Sequence, residues 1–384
     1  FSVLQYTNGK GTCNQEDRLM KSGSFGLPEY PCRYDVWDRL RDERRPIVVY
    51  GMGNGADKLF ARFSQYGIRV ADVFASDGFV RGHEYRQYRV KSFSEIREKY
   101  SDFVIVLSFA SRRPEVIEML SGIDKEYDMY IPDMPVVGEE YFDREFYNSN
   151  YESLCRVADM LCDDESARIF SEVLAYRLTG KMEHLLSSCS DPCEMYSLIR
   201  SGKPDMRVAV DAGAYNGDTV REIIMNIPSL EKIYALEPDP KTYKRLFRTT
   251  EEYGDRVEPV NAAAWSACGT GSFMSSGNRN SSLVSHSHEY REGDVKLIPI
   301  DSVADSADYV KYDVEGAELE ALAGTRGLIE KSRPVLLVSA YHRSRDIFTI
   351  PMQVLGEHDG YRLYLRRLRS IPAWELNYIF LPET

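Results

Sequence analysis

The sequence predicts an α/β protein built from parallel sheets with helices on both faces. Apolar runs without alternation, such as PIVVY at 46–50 and DFVIVLSF at 102–109, are typical of strands buried on both sides. Two such runs each lead into a glycine turn and an amphipathic segment, GMGNGAD at 51–57 and DAGAYNGDT at 211–219. A length of 384 residues also favours more than one domain. We therefore expect two Rossmann-like domains.

This pattern divides the chain into four segments. Residues 1–45 form an N-terminal segment, and residues 46–138 form a small Rossmann-like domain. Residues 139–204 have apolar side chains at helical spacing, which predicts a helical connector or, equally well, helices that cover one of the sheets. Residues 205–384 alternate strands with helices, as in a doubly wound sheet.

The C-terminal domain is expected to differ from a plain dinucleotide-binding fold. An irregular insertion is predicted at 265–300, and two apolar runs near 361–367 and 376–381 suggest a hairpin at one edge of the sheet. The run YRLYLRRLRS at 361–370 alternates arginine with apolar residues. We interpret its arginines as a solvated face of the sheet.

Composition excludes some classes of function. A net charge of -12 argues against sequence-independent binding to nucleic acid or anionic membrane, because both require a basic surface. No apolar run approaches the roughly 20 residues of a membrane span, and the first residues do not resemble a signal peptide. Seven cysteines, an odd number, favour reduced thiols in a cytoplasmic protein. His184, Cys189 and Cys193 lack the second pair expected of a zinc site, so no metal ligands are assigned.

Small and polar residues follow the first two strands of the C-terminal domain, where open parallel sheets bind ligands. The first strand runs into Asp211, Gly213, Ala214, Asn216 and Gly217. Glycines there allow a close approach of the backbone, and the following helix N-terminus favours an anion. The second strand ends at Glu237, roughly 20 residues further on, where a carboxylate typically binds the two hydroxyls of a ribose.

The third strand runs into Asn261, Ala262 and Ala263. Their small side chains are compatible with a flat adenine ring or, equally, with close packing of a helix. Both interpretations stay open from the sequence.

The fourth strand, DYVKYDVEGAE, carries charges where a buried strand should be apolar. Lys311, Asp313 and Glu315 alternate and therefore point to one side of an extended chain. Because unpaired buried charges cost several kcal/mol, these side chains should face each other, a ligand or a metal ion. The alternative is structural: the acids cap the next helix and Lys311 neutralises them.

The fifth strand, RPVLLVSAYHR, ends in Tyr341, His342 and Arg343. The ordinary pKa of histidine lies near neutral pH, which makes His342 a candidate base. The same edge of the sheet is expected to carry Asp211, Glu237 and Asp313.

An ordered series of motifs resembles the FkbM family of S-adenosylmethionine-dependent methyltransferases. The motifs are VDAGAYNGDT at 210–219, LEPDP at 236–240, NAAAW at 261–265, SSL at 281–283, VKYDVEGAELEALAG at 310–324 and RPVLLVSAYHRSRDIFTIP at 333–351. They cover roughly the last 180 residues of the chain. The resemblance implies a seven-stranded methyltransferase sheet whose last edge strand is antiparallel, and methyl transfer usually to a hydroxyl oxygen.

The resemblance also implies roles for individual residues. Gly213 and Gly217 would line the methionine part of S-adenosylmethionine, Glu237 would hold its ribose, and Asp313 would lie near the methionine end or the acceptor. The base is His342 or Asp313; alternatively, Asp313 and Glu315 hold a divalent cation. The full set of cofactor candidates is Asp211, Gly213, Ala214, Asn216, Gly217, Thr219, Glu237, Pro238, Asn261, Ala262 and Ala263, and the catalytic candidates are Lys311, Asp313, Glu315 and His342.

These observations favour methylation of a sugar, a nucleotide sugar or a related polyhydroxylated metabolite, as in carbohydrate biosynthesis. The first domain resembles, more loosely, the sugar-nucleotide modules of glycan-assembly enzymes, with Asp77 near the place of a ribose partner. Docking or dimerisation, and hence a homodimer, fits that domain equally well. Two other functions stay open: an NAD-dependent oxidoreductase that uses the turn at 51–57, and a non-catalytic scaffold.

Overall fold

The computed structural model describes residues 26–80, 82, 84–274, 282–286 and 294–383. The first sheet has five parallel strands in the order β5-β2-β1-β6-β7. The strands, together with a separate hairpin formed by β3 and β4, are β1 Ile47–Tyr50, β2 Val70–Ala75, β3 Glu84–Tyr85, β4 Tyr88–Arg89, β5 Lys91–Ser92, β6 Val104–Leu107 and β7 Met129–Tyr130. The helices of this region are α1 Val36–Asp42, α2 Asn54–Tyr66, α3 Phe93–Lys99 and α4 Pro114–Glu126. This is the smaller Rossmann-like domain that the sequence predicts.

Five helices follow: α5 Arg144–Ser149, α6 Tyr151–Met160, α7 Asp164–Thr179, α8 Met182–Ser187 and α9 Pro192–Gly202. They are more than a connector, because they complete the cores of both sheets. Phe170 and Val173 of α7 share a core with Val210 of the second sheet, whereas Tyr176 and Met182 pack into the core of the first sheet. The two sheets are therefore joined by a common helical layer.

The second sheet has seven strands in the order β10-β9-β8-β15-β16-β18-β17. Its strands are β8 Val208–Ala212, β9 Lys232–Leu236, β10 Val257–Val260, β15 Tyr309–Tyr312, β16 Val335–Ser339, β17 Tyr361–Arg367 and β18 Leu376–Pro382. Its helices are α10 Asp218–Asn226, α11 Pro240–Thr250, α12 Glu318–Ala323, α13 Arg326–Ser332 and α14 Asp346–Glu357. Apolar cores lie on both faces, as the non-alternating strands predict.

The closing hairpin differs from one expectation. The final strand β18 is antiparallel, but it pairs with both β16 and β17, so it lies inside the sheet. The edge strand is β17, which runs antiparallel to β18. The prediction of an antiparallel edge strand was therefore wrong in position, although the hairpin itself is confirmed.

The insertion at 265–300 is not irregular where the structure describes it. Strands β11 Ala263–Ala264, β12 Gly269–Met274, β13 Ser282–His286 and β14 Val295–Ile298 form a small sheet in the order β11-β14-β12-β13. Of the motif at 281–283, Ser281 lies outside the described residues, and the other two begin β13. The glycines and polar residues of this segment concealed the strands, which have little apolar alternation.

The prediction that the arginines near 361–370 form a solvated face was wrong for Arg366 and Arg367. Both side chains are fully buried, because α7 and α8 cover the edge strand. Arg366 contacts Asp163 at 2.6 Å and Glu194 at 2.7 Å, and Arg367 donates to Ser188 Oγ at 2.9 Å. Two carboxylates more than 170 residues away compensate the charge of Arg366, whereas Arg367 donates to hydroxyl and carbonyl oxygens.

No helix among the described residues is long and apolar enough to cross a membrane.

Candidate active site

The carboxyl ends of adjacent strands bring the predicted polar residues to one edge of the second sheet. Register pairs Lys311 of β15 directly with Asp211 of β8. Asp313, Glu237 and His342 follow the ends of β15, β9 and β16. The sequence prediction that these side chains belong to one edge follows from the parallel arrangement of the strands.

Lys311 lies between two carboxylates beneath this edge. Its Nζ is 3.5 Å from Asp211 Oδ1 and 3.4 Å from Asp313 Oδ2. Burial lowers the pKa of Lys311, but the charges of Asp313 and Asp211 outweigh it and raise the pKa above its ordinary value. Burial raises the pKa of Asp211, whose Oδ2 accepts a hydrogen bond from the Thr219 hydroxyl. Among the residues that the structure describes, none hydrogen-bonds the buried Asp211 Oδ1, whose ion-pair distance to Lys311 Nζ is 3.5 Å.

Asp313 links Lys311 to His342. The Tyr341 hydroxyl donates to Asp313 Oδ1 at 3.0 Å, and His342 Nε2 lies 3.5 Å from the same oxygen. Burial raises the pKa of Asp313, but Lys311 and His342 outweigh it and lower the pKa to about 2. Asp313 is therefore ionised at neutral pH.

His342 is fully buried and is held between acids. Its Nδ1 lies 2.9 Å from Glu318 Oε1, and its Nε2 lies 3.6 Å from Glu315 Oε2. Burial lowers the pKa of His342, but the Glu318 carboxylate, with Asp313 and Glu315, raises it to about 10. At neutral pH the ring is an imidazolium that donates from both nitrogens, which does not suit a general base.

Glu318 is the site residue that sequence reasoning missed. It is buried in the first turn of α12, and its Oε1 also accepts from the backbone amides of Val314 at 3.1 Å and Gly316 at 3.3 Å. Glu318 thus fixes the turn after β15 and the ring of His342 together. The available signal was a third acid in the motif DVEGAE, at a helix start where a carboxylate is favourable.

The geometry does not fit a divalent cation held by Asp313 and Glu315. The imidazolium of His342 lies between their carboxylates, 3.5 Å from Asp313 and 3.6 Å from Glu315. Within the described residues, no group of three or more His, Cys, Asp or Glu side chains is placed to hold a metal ion. A protonated histidine therefore occupies the position that the hypothesis gave to a cation.

Glu237 lies at the same edge in a different environment. It is only 8% exposed, and its Oε1 accepts from the amide of Asp239 at 2.8 Å. Burial is the main cause that raises the pKa of Glu237 to about 7; the hydrogen bond from the Asp239 amide opposes the rise, and the Asp239 carboxylate adds to it. Asn261 Nδ2 donates to the carbonyls of Glu237 at 2.8 Å and Pro238 at 3.1 Å, so Asn261 shapes this turn.

The glycine turn after β8 is bent against protein. Gly213 has φ +88°, and a Cβ there would lie 1.9 Å from the carbonyl oxygen of Asp313. Gly217 has φ +91°, and a Cβ there would lie 3.1 Å from the Thr249 side chain. Packing against neighbouring turns therefore accounts for both glycines, and their contact with a cofactor stays a prediction.

The remaining cofactor candidates occupy this turn or the neighbouring core. Asn216 Oδ1 accepts from the Asp218 amide at 3.2 Å, which shapes the entry into α10. Ala214 is buried beneath the turn. Ala262 packs in the main core and Ala263 packs against the small sheet, so protein contacts explain both alanines.

The turn at 51–57 of the first sheet is also filled by protein. A Cβ on Gly51 would lie 2.7 Å from Ser108 Oγ and 2.8 Å from the Phe109 ring, and one on Gly55 would lie 2.0 Å from the Ser108 carbonyl oxygen. Asp77 is exposed on a short 3₁₀ turn. The glycines thus pack against the loop after β6, as those of the second sheet pack against protein, and binding of NAD at this turn stays a prediction.

Comparison with known proteins agrees with the fold and the motif series. Residues 211–376 match the family model described as a methyltransferase FkbM domain. A crystal structure of methyltransferase FkbM from Methylobacillus flagellatus KT matches with a TM-score of 0.65 and 21% identity over 95% of this chain and 96% of that chain. This similarity extends over both sheets and concerns the fold alone. A search of the curated proteins gave no match.

An rRNA methylase from Streptococcus thermophilus also matches, with a TM-score of 0.35 and 11% identity over 51% of this chain and 98% of that chain. A similarity this low adds nothing to the argument.

Proposed function

We propose that the protein transfers a methyl group from S-adenosylmethionine to a hydroxyl oxygen of a polyhydroxylated acceptor, such as a sugar or nucleotide sugar. The match of residues 211–376 to the methyltransferase FkbM domain model supports this proposal. The observation that carries this proposal is that one edge of the second sheet holds both the buried carboxylate of Glu237 and the charged group of Lys311, Asp313 and His342. Carbohydrate biosynthesis in the cytoplasm is the setting that this chemistry and the cysteine pattern favour.

The residues around Glu237 fit the cofactor. A carboxylate that burial holds at a pKa of about 7 gains most from ligand hydroxyls, which donate hydrogen bonds to its ionised form. Glu237 would bind the ribose, and the turn from Asp211 to Thr219 would lie against the methionine end. S-adenosylmethionine supplies the electrophilic methyl group when it is bound.

Asp313 is a better candidate than His342 for the group that hydrogen-bonds the acceptor hydroxyl; with a pKa of about 2 it orients that hydroxyl and does not act as a general base. It is ionised at neutral pH and partly exposed, whereas His342 already carries a proton. Asp313 would accept a hydrogen bond from the acceptor hydroxyl and align its oxygen, since alignment is the main demand of methyl transfer. Lys311, Tyr341 and His342 hold Asp313 in place.

Binding of S-adenosylhomocysteine tests the proposal directly. The compound should raise the melting temperature of the wild-type protein by mass action. Glu237→Gln should remove the shift, because the amide cannot accept both ribose hydrogen bonds. Asp77→Asn is the matched control, since Asp77 follows the second strand of the other sheet and is exposed; it should leave the shift unchanged. No shift of the wild type at saturating compound would refute the proposal.

A further inference from the structure

The segment that leaves the first sheet supports the turns of the candidate site. Lys58 of α2 donates to the carbonyls of Pro135 at 2.8 Å and Val136 at 3.2 Å, which ties this segment to the small domain. The amide of Val137 then donates to the His342 carbonyl at 2.9 Å. A Cβ on Gly316 would lie 3.3 Å from Val137, so the turn after β15 is also in contact with the small domain. The loops at the carboxyl ends of both sheets therefore meet at the candidate site.

A second loop of the small domain reaches the same place. Within the small domain, the close approach of Gly51 and Gly55 fixes the loop after β6. The Phe109 ring also packs edge-on against the Tyr50 ring, and the two ring centroids are 5.0 Å apart. On the other side, Ser111 and Ile371 exchange two backbone hydrogen bonds, of 2.8 and 2.9 Å. This loop is thus a rigid bridge to the turn between β17 and β18.

Arg112 follows Ser111 on this loop and lies beside the candidate site. Its guanidinium forms an ion pair with Glu375, yet 62% of its side chain is exposed. Burial raises the pKa of Glu375, and the charges of Arg112 and Lys311 oppose that rise while Asp313 adds to it. Burial raises the pKa of Glu315, and the charge of Arg112 is among those that oppose this rise. Arg112 is therefore an exposed cation whose partner, Glu375, lies beside the end of β16, because the amide of Ala340 donates to the carbonyl of Leu376 at 2.8 Å.

We propose that Arg112 is a specificity-determining residue that binds an anionic group, a phosphate or a carboxylate, on the methyl acceptor. The proposal rests on the proposed function of the same site. It makes the small domain the acceptor-recognition half of the enzyme.

Electrostatics explain why such a residue is needed. The chain carries a net charge of -12, and Asp313, Glu315 and Glu375 would repel an anion at the opening. A guanidinium offers two parallel donors to a phosphate or carboxylate, and the Glu375 carboxylate already occupies Arg112 in the absence of ligand. An anionic acceptor would take the place of Glu375 as the partner of Arg112.

Arg113 provides a matched control. It is 72% exposed and belongs to the same loop, but its Nε donates at 2.7 Å to Glu115 of its own domain. The two arginines thus share exposure and charge and differ in whether they face the candidate site.

Titration calorimetry on the full chain saturated with S-adenosylhomocysteine tests the proposal, with inorganic pyrophosphate and malonate as probes. The wild type should bind at least one of them, and Arg112→Gln should weaken that binding about tenfold or more, while Arg113→Gln changes it less than about threefold. Glu375→Gln should strengthen binding, because it removes the competing carboxylate. Preference for pyrophosphate would indicate a phosphate ester, and preference for malonate a carboxylate.

Failure of both probes to bind the wild type, or equal binding by the wild type and Arg112→Gln, would overturn the role of Arg112. Glu375→Gln that binds more weakly than the wild type would also contradict it. Binding of S-adenosylhomocysteine is measured first in each protein. If that compound binds and the anions do not, this inference fails while the proposed function stands; if it does not bind, the proposed function fails.

Discussion

Each sheet of the protein buries an acidic side chain beside lysine, and the two groups differ in how completely they are hydrogen-bonded. In the first sheet, Asp72 contacts Lys91 through one carboxylate oxygen, and Lys99 and the Tyr100 hydroxyl through the other, both at 2.7 Å. In the second sheet, Lys311 lies 3.4 to 3.5 Å from its two acids, and none of the described residues hydrogen-bonds Asp211 Oδ1.

We interpret the first group as structural and the second as the candidate functional one. A fully paired buried carboxylate repays its desolvation within the folded chain, whereas loosely paired charges retain a cost that a ligand can relieve. Both sheets also have a strand, a glycine turn and a helix, and protein fills the turn in each. The glycine pattern therefore does not distinguish the two sheets, but the completeness of charge pairing does.

The largest effect is expected when the acid of each group, Asp313 or Asp72, is replaced by its amide. Asp313→Asn should reduce methyl transfer by roughly 10²-fold or more, because the amide neither orients the acceptor hydroxyl through a charged hydrogen bond nor balances Lys311. Affinity for S-adenosylhomocysteine should change less than about threefold. Asp72→Asn should lower the melting temperature and leave the turnover of the folded enzyme within about twofold. Steady-state kinetics measures both variants. If Asp313→Asn kept a tenth of the wild-type activity, the distinction between the two groups would be wrong.

A second prediction concerns the two glycine turns. Gly213→Ala should lower the free energy of unfolding by about 3 kcal/mol, since its Cβ would lie 1.9 Å from the Asp313 carbonyl oxygen at a φ of +88°. Gly53→Ala should cost less, about 2 kcal/mol, because φ +104° and ψ −158° suit almost only glycine but no atom lies within 4 Å of the Cβ. Urea denaturation of both variants measures the difference. Equal losses of unfolding free energy in the two variants would show that packing of Gly213 against the Asp313 carbonyl does not determine the bend of the chain after β8.

A third prediction uses the charge on His342. Its pKa is raised from 6.5 to about 10 in the folded chain, so the stabilisation is complete below pH 6.5 and is lost as pH rises through about 10. Thermal unfolding should show stability falling over that window by roughly 2 kcal/mol more in the wild type than in His342→Gln. Glu318→Gln should also flatten the decline, because Glu318 is the principal partner of the ring. Parallel curves for the three proteins would exclude a buried imidazolium.

The sequence predicts those parts of the site that depend on local order. Asp211, Glu237 and Asp313 could be assigned to one edge because each follows a short apolar strand, and parallel strands end together. The buried arginines and the Arg112–Glu375 ion pair could not be predicted. Their partners lie far away in the chain, and the pairing depends on how helices and loops cover the second sheet. A run that alternates arginine with apolar residues looks the same in the sequence whether its arginines are buried or solvated.

The smallest predicted effect compares Glu237 with Asp77, the acids that follow the second strand of each sheet. Because burial raises the pKa of Glu237 to about 7, the carboxylate is largely ionised at pH 8 and largely protonated at pH 6. Only the ionised form accepts hydrogen bonds from both ribose hydroxyls, so binding of S-adenosylhomocysteine should release a proton and weaken about tenfold between pH 8 and pH 6. Calorimetry in two buffers of different ionisation enthalpy measures both quantities. Asp77→Asn should retain this dependence and Glu237→Gln should lose it; a wild type with constant affinity over the interval would show that Glu237 does not hold the ribose.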